Sequence, residues 1–240
     1  MSKNSKAVKR IMRDRIKFIK SNFKNIFINW NEENIMSSQV LLIGPKDTPY
    51  ENGFFLFDVV FPENYPFKNP KVKFMTSDGH TRFHPNLYTE GKVCLSLLGT
   101  WAGPSWSSSQ NISSLFLAIQ SLLCEWPLTQ EPGYSGEINT SKSKNYNIII
   151  THQVYKTSVI QQIKNLNPKF ECFRYIIQNH FTENINWYIS KLSELSLKHD
   201  SKTYKSSIYS MKLTCNFNSI LNDIIELYNS INLDGEILSI

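Results

Sequence analysis

Three side chains in one short stretch are suited to acyl chemistry: His84, Asn86 two positions on, and Cys94 eight positions beyond Asn86. A cysteine thiolate attacks an activated carbonyl readily, and the resulting thioester stays reactive toward amines. At an ordinary thiol pKa of about 8.5 only a few per cent is thiolate at neutral pH, so a working cysteine needs activation. Attack also builds an oxyanion. A neutral amide donor stabilises that charge, and loss of one such donor typically costs about 10²–10³ in rate. Asn86 is that kind of group, on a turn stiffened by Pro85. Plainer readings compete. Cys94 lies between Val93 and Leu95, a context common for a small core residue, and Asn86 can simply tie down its own turn. A Cys94–His84 protease pair is conceivable, but nothing marks His84 as a base rather than a brace for the turn.

The elements around these residues must position them. Residues 8–23 place Val8, Ile11, Met12, Ile16, Ile19 and Phe23 at helical spacing, which predicts an amphipathic helix with that stripe inward and Lys9, Arg13, Lys17 and Lys20 outward. Strands are expected at 25–30, 38–43, 54–61 and 71–75. Gly44-Pro45 ends the second, Asn52-Gly53 turns into the third, and Pro62, Pro66 and Pro70 enforce an extended connection to the fourth. The result is a four-stranded antiparallel meander behind a helix, an α+β arrangement. Residues 76–109 lack periodicity yet hold His84, Cys94, Trp101 and Trp106; long irregular segments of this kind tend to be functional. A helix is expected at 109–125, followed by a Pro- and Gly-containing loop at 127–136. Further helices are expected at 145–164, at 170–195 with an internal break, and at 217–231, with 198–207 as a mobile linker.

Composition narrows the class. The chain has 240 residues, 41% of them hydrophobic, which is globular rather than disordered. The formal charge of +6 is concentrated in a basic N-terminal block, either a solvated helix face or a surface for an acidic partner. No aromatic-basic motif or zinc spacing supports nucleic-acid binding, and no apolar run approaches the length of a membrane span or a secretory signal. Cys94, Cys124, Cys172 and Cys215 form no CxxC pair, so neither a disulfide framework nor a metal site is expected, and a reducing intracellular setting fits.

The order Gly44-Pro45, Thr48-Pro49-Tyr50, Gly53, Phe61-Pro62, Tyr65-Pro66-Phe67, Pro70-Lys71-Val72, His84-Pro85-Asn86, Gly91-Lys92-Val93-Cys94 and Trp101 resembles the core of the ubiquitin-conjugating enzymes. The resemblance covers roughly residues 8–195 and is best over 40–135. Residues 95–101, Glu131-Pro132-Gly133-Tyr134, Tyr146-Asn147 and 170–181 are similar to the large-conjugating-enzyme subgroup, which includes the catalytic domains of hybrid conjugating enzyme–ligase proteins. The resemblance implies a UBC-like fold: an N-terminal helix, the meander, a long active-site segment, a central helix and C-terminal helices. It implies a catalytic domain over 1–165, a C-terminal helical extension over 166–240 packed on or following that core, and no built-in ligase domain.

By the same resemblance, Cys94 accepts ubiquitin or a ubiquitin-like modifier as a thioester from an activating enzyme and delivers it to a substrate lysine. Asn86 then serves the oxyanion or the architecture of the site, His84 braces the turn, and Glu131 sits where the family often has a gate carboxylate. Lys9, Arg13 and Lys17 match the activating-enzyme docking face, and Phe67 the aromatic that engages RING or HECT-type ligases. Trp101 is expected to be a structural platform, and Cys124 inert packing. No cofactor is implied, ATP being consumed upstream by the activating enzyme; the setting is intracellular, cytoplasm and/or nucleus. The chain departs from the pattern at Asn69, which replaces the second proline of a usual pair, and in residues 102–108, where the subgroup's acidic residue is absent. Alternatives are a carrier of a different modifier, a non-catalytic ubiquitin-binding variant, which normally lacks the cysteine, and a basic nucleic-acid-binding domain.

Overall fold

Alternating side chains along two long strands set the architecture. In the computed structural model, which describes residues 3–237 and the side chains of 6–231, β1 (Ile26–Trp30), β2 (Ser37–Ile43), β3 (Phe54–Val60) and β4 (Lys71–Phe74) form one antiparallel sheet in sequential order. The register pairs Val40 with Phe57 and Leu42 with Phe55 on one face, and Leu41 with Leu56 and Ile43 with Phe54 on the other. Both faces are covered. The first packs with α1 (Lys3–Ser21) and α2 (Ile112–Leu122) through Ala7, Ile11, Ile112, Leu115, Phe116 and Ile119. The second packs against the C-terminal helices through Tyr155, Val159, Phe170, Phe181, Tyr188 and Phe217. Burial on both sides is why β3 reads as an almost unbroken apolar run. The fold is UBC-like α+β.

The first helix turns a different face inward from the one its apolar pattern predicts. Ala7, Ile11, Asp14 and Phe18 are buried, whereas Met12, Ile16 and Ile19 are 41%, 52% and 63% exposed. The reason is Asp14, which hydrophobic periodicity cannot register. Its carboxylate accepts hydrogen bonds from Tyr65 Oη and, at 2.8 Å, Arg10 Nε. Arg10 also donates to the carbonyls of Ser108 and Gln110. This polar network fixes the rotation of α1 against the body.

The later elements follow in order. Thr140 caps α3 (Ser141–Gln153), which continues through a π-helical stretch, Val154–Ile160, into α4 (Gln161–Lys164). A 3₁₀ segment, Pro168–Phe173, precedes α5 (Arg174–Glu183); the expected break falls at Asn184, before α6 (Ile185–His199). The segment read as a mobile linker, 198–207, is instead the end of α6 and the start of a hairpin. There β5 (Thr203–Lys205) pairs with β6 (Lys212–Thr214), followed by α7 (Phe217–Ile237). Its outward positions are polar, which hid the strands, while Tyr204 and Leu213 point inward and pack against both core clusters. Among the described residues, no helix is long and apolar enough to cross a membrane.

Candidate active site

The eight-residue spacing between Asn86 and Cys94 is the geometry of a small antiparallel hairpin. Leu87 bridges Val93, the Tyr88 N–H donates to the Lys92 carbonyl, and the Cys94 N–H donates to the Asn86 carbonyl at 2.8 Å. Two residues directly opposed in this way share one face. The Asn86 side chain completes the pair: its Nδ2 donates to the Cys94 carbonyl at 2.8 Å, leaving Oδ1 buried without a partner. The turn needs Gly91. Its φ of +99° favours glycine, and a Cβ there would stand 2.7 Å from the Phe74 carbonyl, whose own N–H is bonded to the Gly91 carbonyl.

His84 is fully buried, and its Nδ1 accepts the Asn86 N–H at 2.9 Å. Burial first, and the nearby Arg82 guanidinium second, lower its pKa to about 3, outweighing the opposite pull of the Leu122 carbonyl. The ring is therefore neutral near pH 7, with its proton on Nε2, and the nitrogen facing the turn is occupied. That arrangement suits a brace and not a base for Cys94. Arg82 holds the same turn from outside, donating to the carbonyls of His84 at 3.2 Å and Pro85 at 2.6 Å.

Cys94 is 2% exposed, yet it belongs to neither apolar cluster, whereas the equally buried Cys215 sits within one. Thr100 pins the chain on both sides of it. The Thr100 hydroxyl donates to the Val93 carbonyl at 2.7 Å and accepts the Leu95 N–H at 2.9 Å. A single 3₁₀ turn, Ser96–Leu98, follows and closes on Gly99 in the left-handed region. The Cys94 thiol and the Asn86 amide thus share one hairpin, held by hydrogen bonds and anchored in the core by Leu87, Val93 and Leu98.

Residues 6–154 match the family model described as ubiquitin-conjugating enzyme. The chain belongs to that family. Similar curated proteins include ubiquitin-conjugating enzyme E2 Z of Homo sapiens, 42% identical over 75% of this chain and 51% of that protein. The Xenopus tropicalis protein of the same name is 39% identical over 77% of this chain and 59% of that protein. The dual E2 ubiquitin-conjugating enzyme/E3 ubiquitin-protein ligase BIRC6 of Homo sapiens is 39% identical over 67% of this chain, which matches 4% of it. The chain spans between half and three-fifths of the length of its E2 Z relatives.

The remaining sequence-derived positions spread over the surface of this family member. Glu131, just after the 3₁₀ turn Pro127–Gln130, accepts a hydrogen bond from Tyr209 Oη of the β5–β6 loop. Phe67 is 77% exposed. Lys9, Arg13 and Lys17 are exposed on α1, alongside the uncovered Met12 and Ile16. Trp101 is 42% exposed and so is not the expected platform; Trp106 takes that place, packing on Tyr65 and donating from Nε1 to the Pro66 carbonyl at 2.7 Å. Asn69 bonds the Pro70 and Leu98 carbonyls, tying the Phe67 segment to the turn after Cys94. Burial raises the thiol pKa of Cys124 and Cys172, and pushes Cys215 up to about 11. Arg10, Arg82, Asp14, Thr100 and Tyr209 escaped sequence reasoning. For Asp14 the available signal was a lone acid within a basic helix; the others carry no distinguishing pattern. Among the described residues no group of three His, Cys, Asp or Glu side chains could hold a metal ion.

Proposed function

We propose that the chain is a ubiquitin-conjugating enzyme that carries ubiquitin on Cys94. The Cys94 thiolate attacks the modifier's C-terminal carbonyl in the activating enzyme's thioester, and the activating enzyme's thiolate leaves. A deprotonated substrate lysine then attacks the new thioester; the C–S bond breaks, an isopeptide bond forms, and the Cys94 thiolate is regenerated. The observation that carries the reading is the opposition of Asn86 and Cys94 across one short hairpin. With Nδ2 committed to the Cys94 carbonyl, Asn86 maintains the architecture of the resting site, and the same amide turns toward the oxyanion during transfer. Charging requires the Ser96–Leu98 turn to yield locally, since Cys94 is 2% exposed. His84 braces the turn, and Glu131 is the carboxylate of the gate.

Partners divide by surface. The basic residues Lys9, Arg13 and Lys17, with exposed Met12 and Ile16 between them, suit an acidic and partly apolar face of the activating enzyme. Phe67 offers an apolar anchor to a RING or HECT-type ligase. No cofactor is needed at the site, because ATP is spent in the activation step. The free thiols fit work in the cytoplasm or nucleus.

Incubation with activating enzyme, ATP and ubiquitin tests this. The parent chain forms an adduct removed by thiol reductant, Cys94→Ala forms none, and Cys94→Ser leaves a reductant-resistant ester. Asn86→Ala slows discharge more than charging. Adduct formation through Cys124 or Cys172, or with a different modifier alone, overturns the assignment.

A further inference from the structure

The acyl chemistry does not explain why the C-terminal hairpin reaches back to the active-site segment. Between β5 and β6, Tyr209 and Ser210 lie at φ +60° and +53°, a backbone region that non-glycine residues hold only when their surroundings enforce it. For Tyr209 those surroundings are on the catalytic side. Its hydroxyl donates to Glu131, its ring centroid lies 4.9 Å from the Arg82 guanidinium carbon, and its ring packs at 6.3 Å on Tyr146. The Arg82 guanidinium carbon also lies 3.2 Å from the Tyr88 ring centroid, and the Arg82 backbone N–H donates to Met211 Sδ at 3.3 Å. From that aromatic setting Arg82 holds the carbonyls of His84 and Pro85, immediately before Asn86.

We propose that Tyr209 is a positioning residue for acyl transfer: it fixes the Arg82 guanidinium against the His84–Asn86 turn and holds the Glu131 carboxylate with the same side chain. The β5–β6 hairpin of the extension is then part of the transfer machinery. A guanidinium on an aromatic ring keeps its in-plane N–H groups free for carbonyls, so the Tyr88 and Tyr209 rings together set the direction in which Arg82 pulls. Small displacements of a reacting constellation reduce rate steeply, by up to about 10²-fold per ångström. The inference rests on the reading of Cys94 as the thioester site.

The test is single-turnover discharge of purified, pre-charged protein to free lysine, which counts only molecules that have folded and loaded. Tyr209→Leu, which loses ring and hydroxyl, discharges about tenfold more slowly than the parent. Tyr209→Phe keeps the ring on Arg82 and recovers most of that loss. In an Arg82→Gln background, Tyr209→Leu adds less than about twofold, because the residue it acts through is already gone. Discharge of Tyr209→Leu at the parent rate overturns the proposal. So does a full tenfold further loss in the Arg82→Gln background, which would place the effect elsewhere. Tyr209→Phe as slow as Tyr209→Leu moves the role to the hydroxyl and overturns the Arg82 link. A parent chain that forms no reductant-sensitive adduct sinks the thioester reading and this inference together, an outcome distinct from a charged Tyr209→Leu that behaves like the parent.

Discussion

Acidification should destabilise the fold through His84 in particular, and the size of the effect follows from its environment. The ring is fully buried and accepts the Asn86 N–H at Nδ1. Burial, followed by the Arg82 charge, holds its folded pKa at about 3, against about 6.5 in the unfolded chain. As pH falls below about 6.5 the unfolded chain binds a proton that the folded chain refuses, so stability is full above that pH and declines below it. Between pH 7.5 and pH 5 the loss from this residue is about 2 kcal/mol, and most of the remainder disappears by about pH 3. Urea unfolding followed by tryptophan fluorescence measures it, with His84→Gln as the non-titrating comparison. His152, His180 and His199 also have lowered pKa values, through burial first, but they are common to both proteins and cancel in the difference. The parent should lose about 2 kcal/mol more than the variant over that interval. Parallel stability curves would refute the reasoning, as would an imidazole NMR titration of His84 in the folded parent with a midpoint above about pH 5.

Two substitutions probe the supports further out. Asp14→Ala removes the acceptor shared by Tyr65 and Arg10 from a position 1% exposed, and should lower stability by about 3 kcal/mol; a shift in urea midpoint equivalent to less than about 1 kcal/mol would show that the network is solvated. Thr100→Val keeps the shape but loses the hydroxyl bonds to Val93 and Leu95. It should cost about 1 kcal/mol in thermal unfolding and slow charging of Cys94 several-fold, with Thr100→Ser restoring both; a variant that charges at the parent rate would remove Thr100 from the site.

The meander was legible because period-two patterning, Gly-Pro and Asn-Gly turns are local signals, and β2 and β3 fall within a residue of their expected limits. The conjunction of His84, Asn86 and Cys94 was legible as a motif, although only coordinates reveal that the spacing is a hairpin register. Other features depend on long-range partners. Asp14 rotates α1 because Tyr65, 51 positions away, needs an acceptor. The 198–207 segment reads as a linker because a two-stranded ribbon buries one side chain per strand. Tyr209 reaches Glu131 across 78 positions through a turn no composition rule marks. Trp101 and Trp106 carry the same apolar weight in a sequence, and only the Pro66 carbonyl decides which of them is anchored.

The irregular segment around Cys94 can hold a fixed geometry because side chains from α3, from the Tyr50 and Asn69 turns and from the segment itself take over the work of a strand ladder. Tyr50 Oη donates to the Phe83 carbonyl, Tyr146 Oη to the Arg82 carbonyl, Ser77 Oγ to the Thr89 carbonyl, and Asn69 Nδ2 to the Leu98 carbonyl, spread along the stretch from 76 to 100. Buried backbone carbonyls must find such partners. Burial raises the pKa of Tyr50 and Tyr146 well above the ordinary phenol value, so both remain donors at any working pH. A strand ladder would have paired the segment with a neighbour and covered it. The hairpin pairs with β4 at Lys73 and Phe74 through its Gly91–Lys92 side, and among the described residues no strand pairs with its other edge.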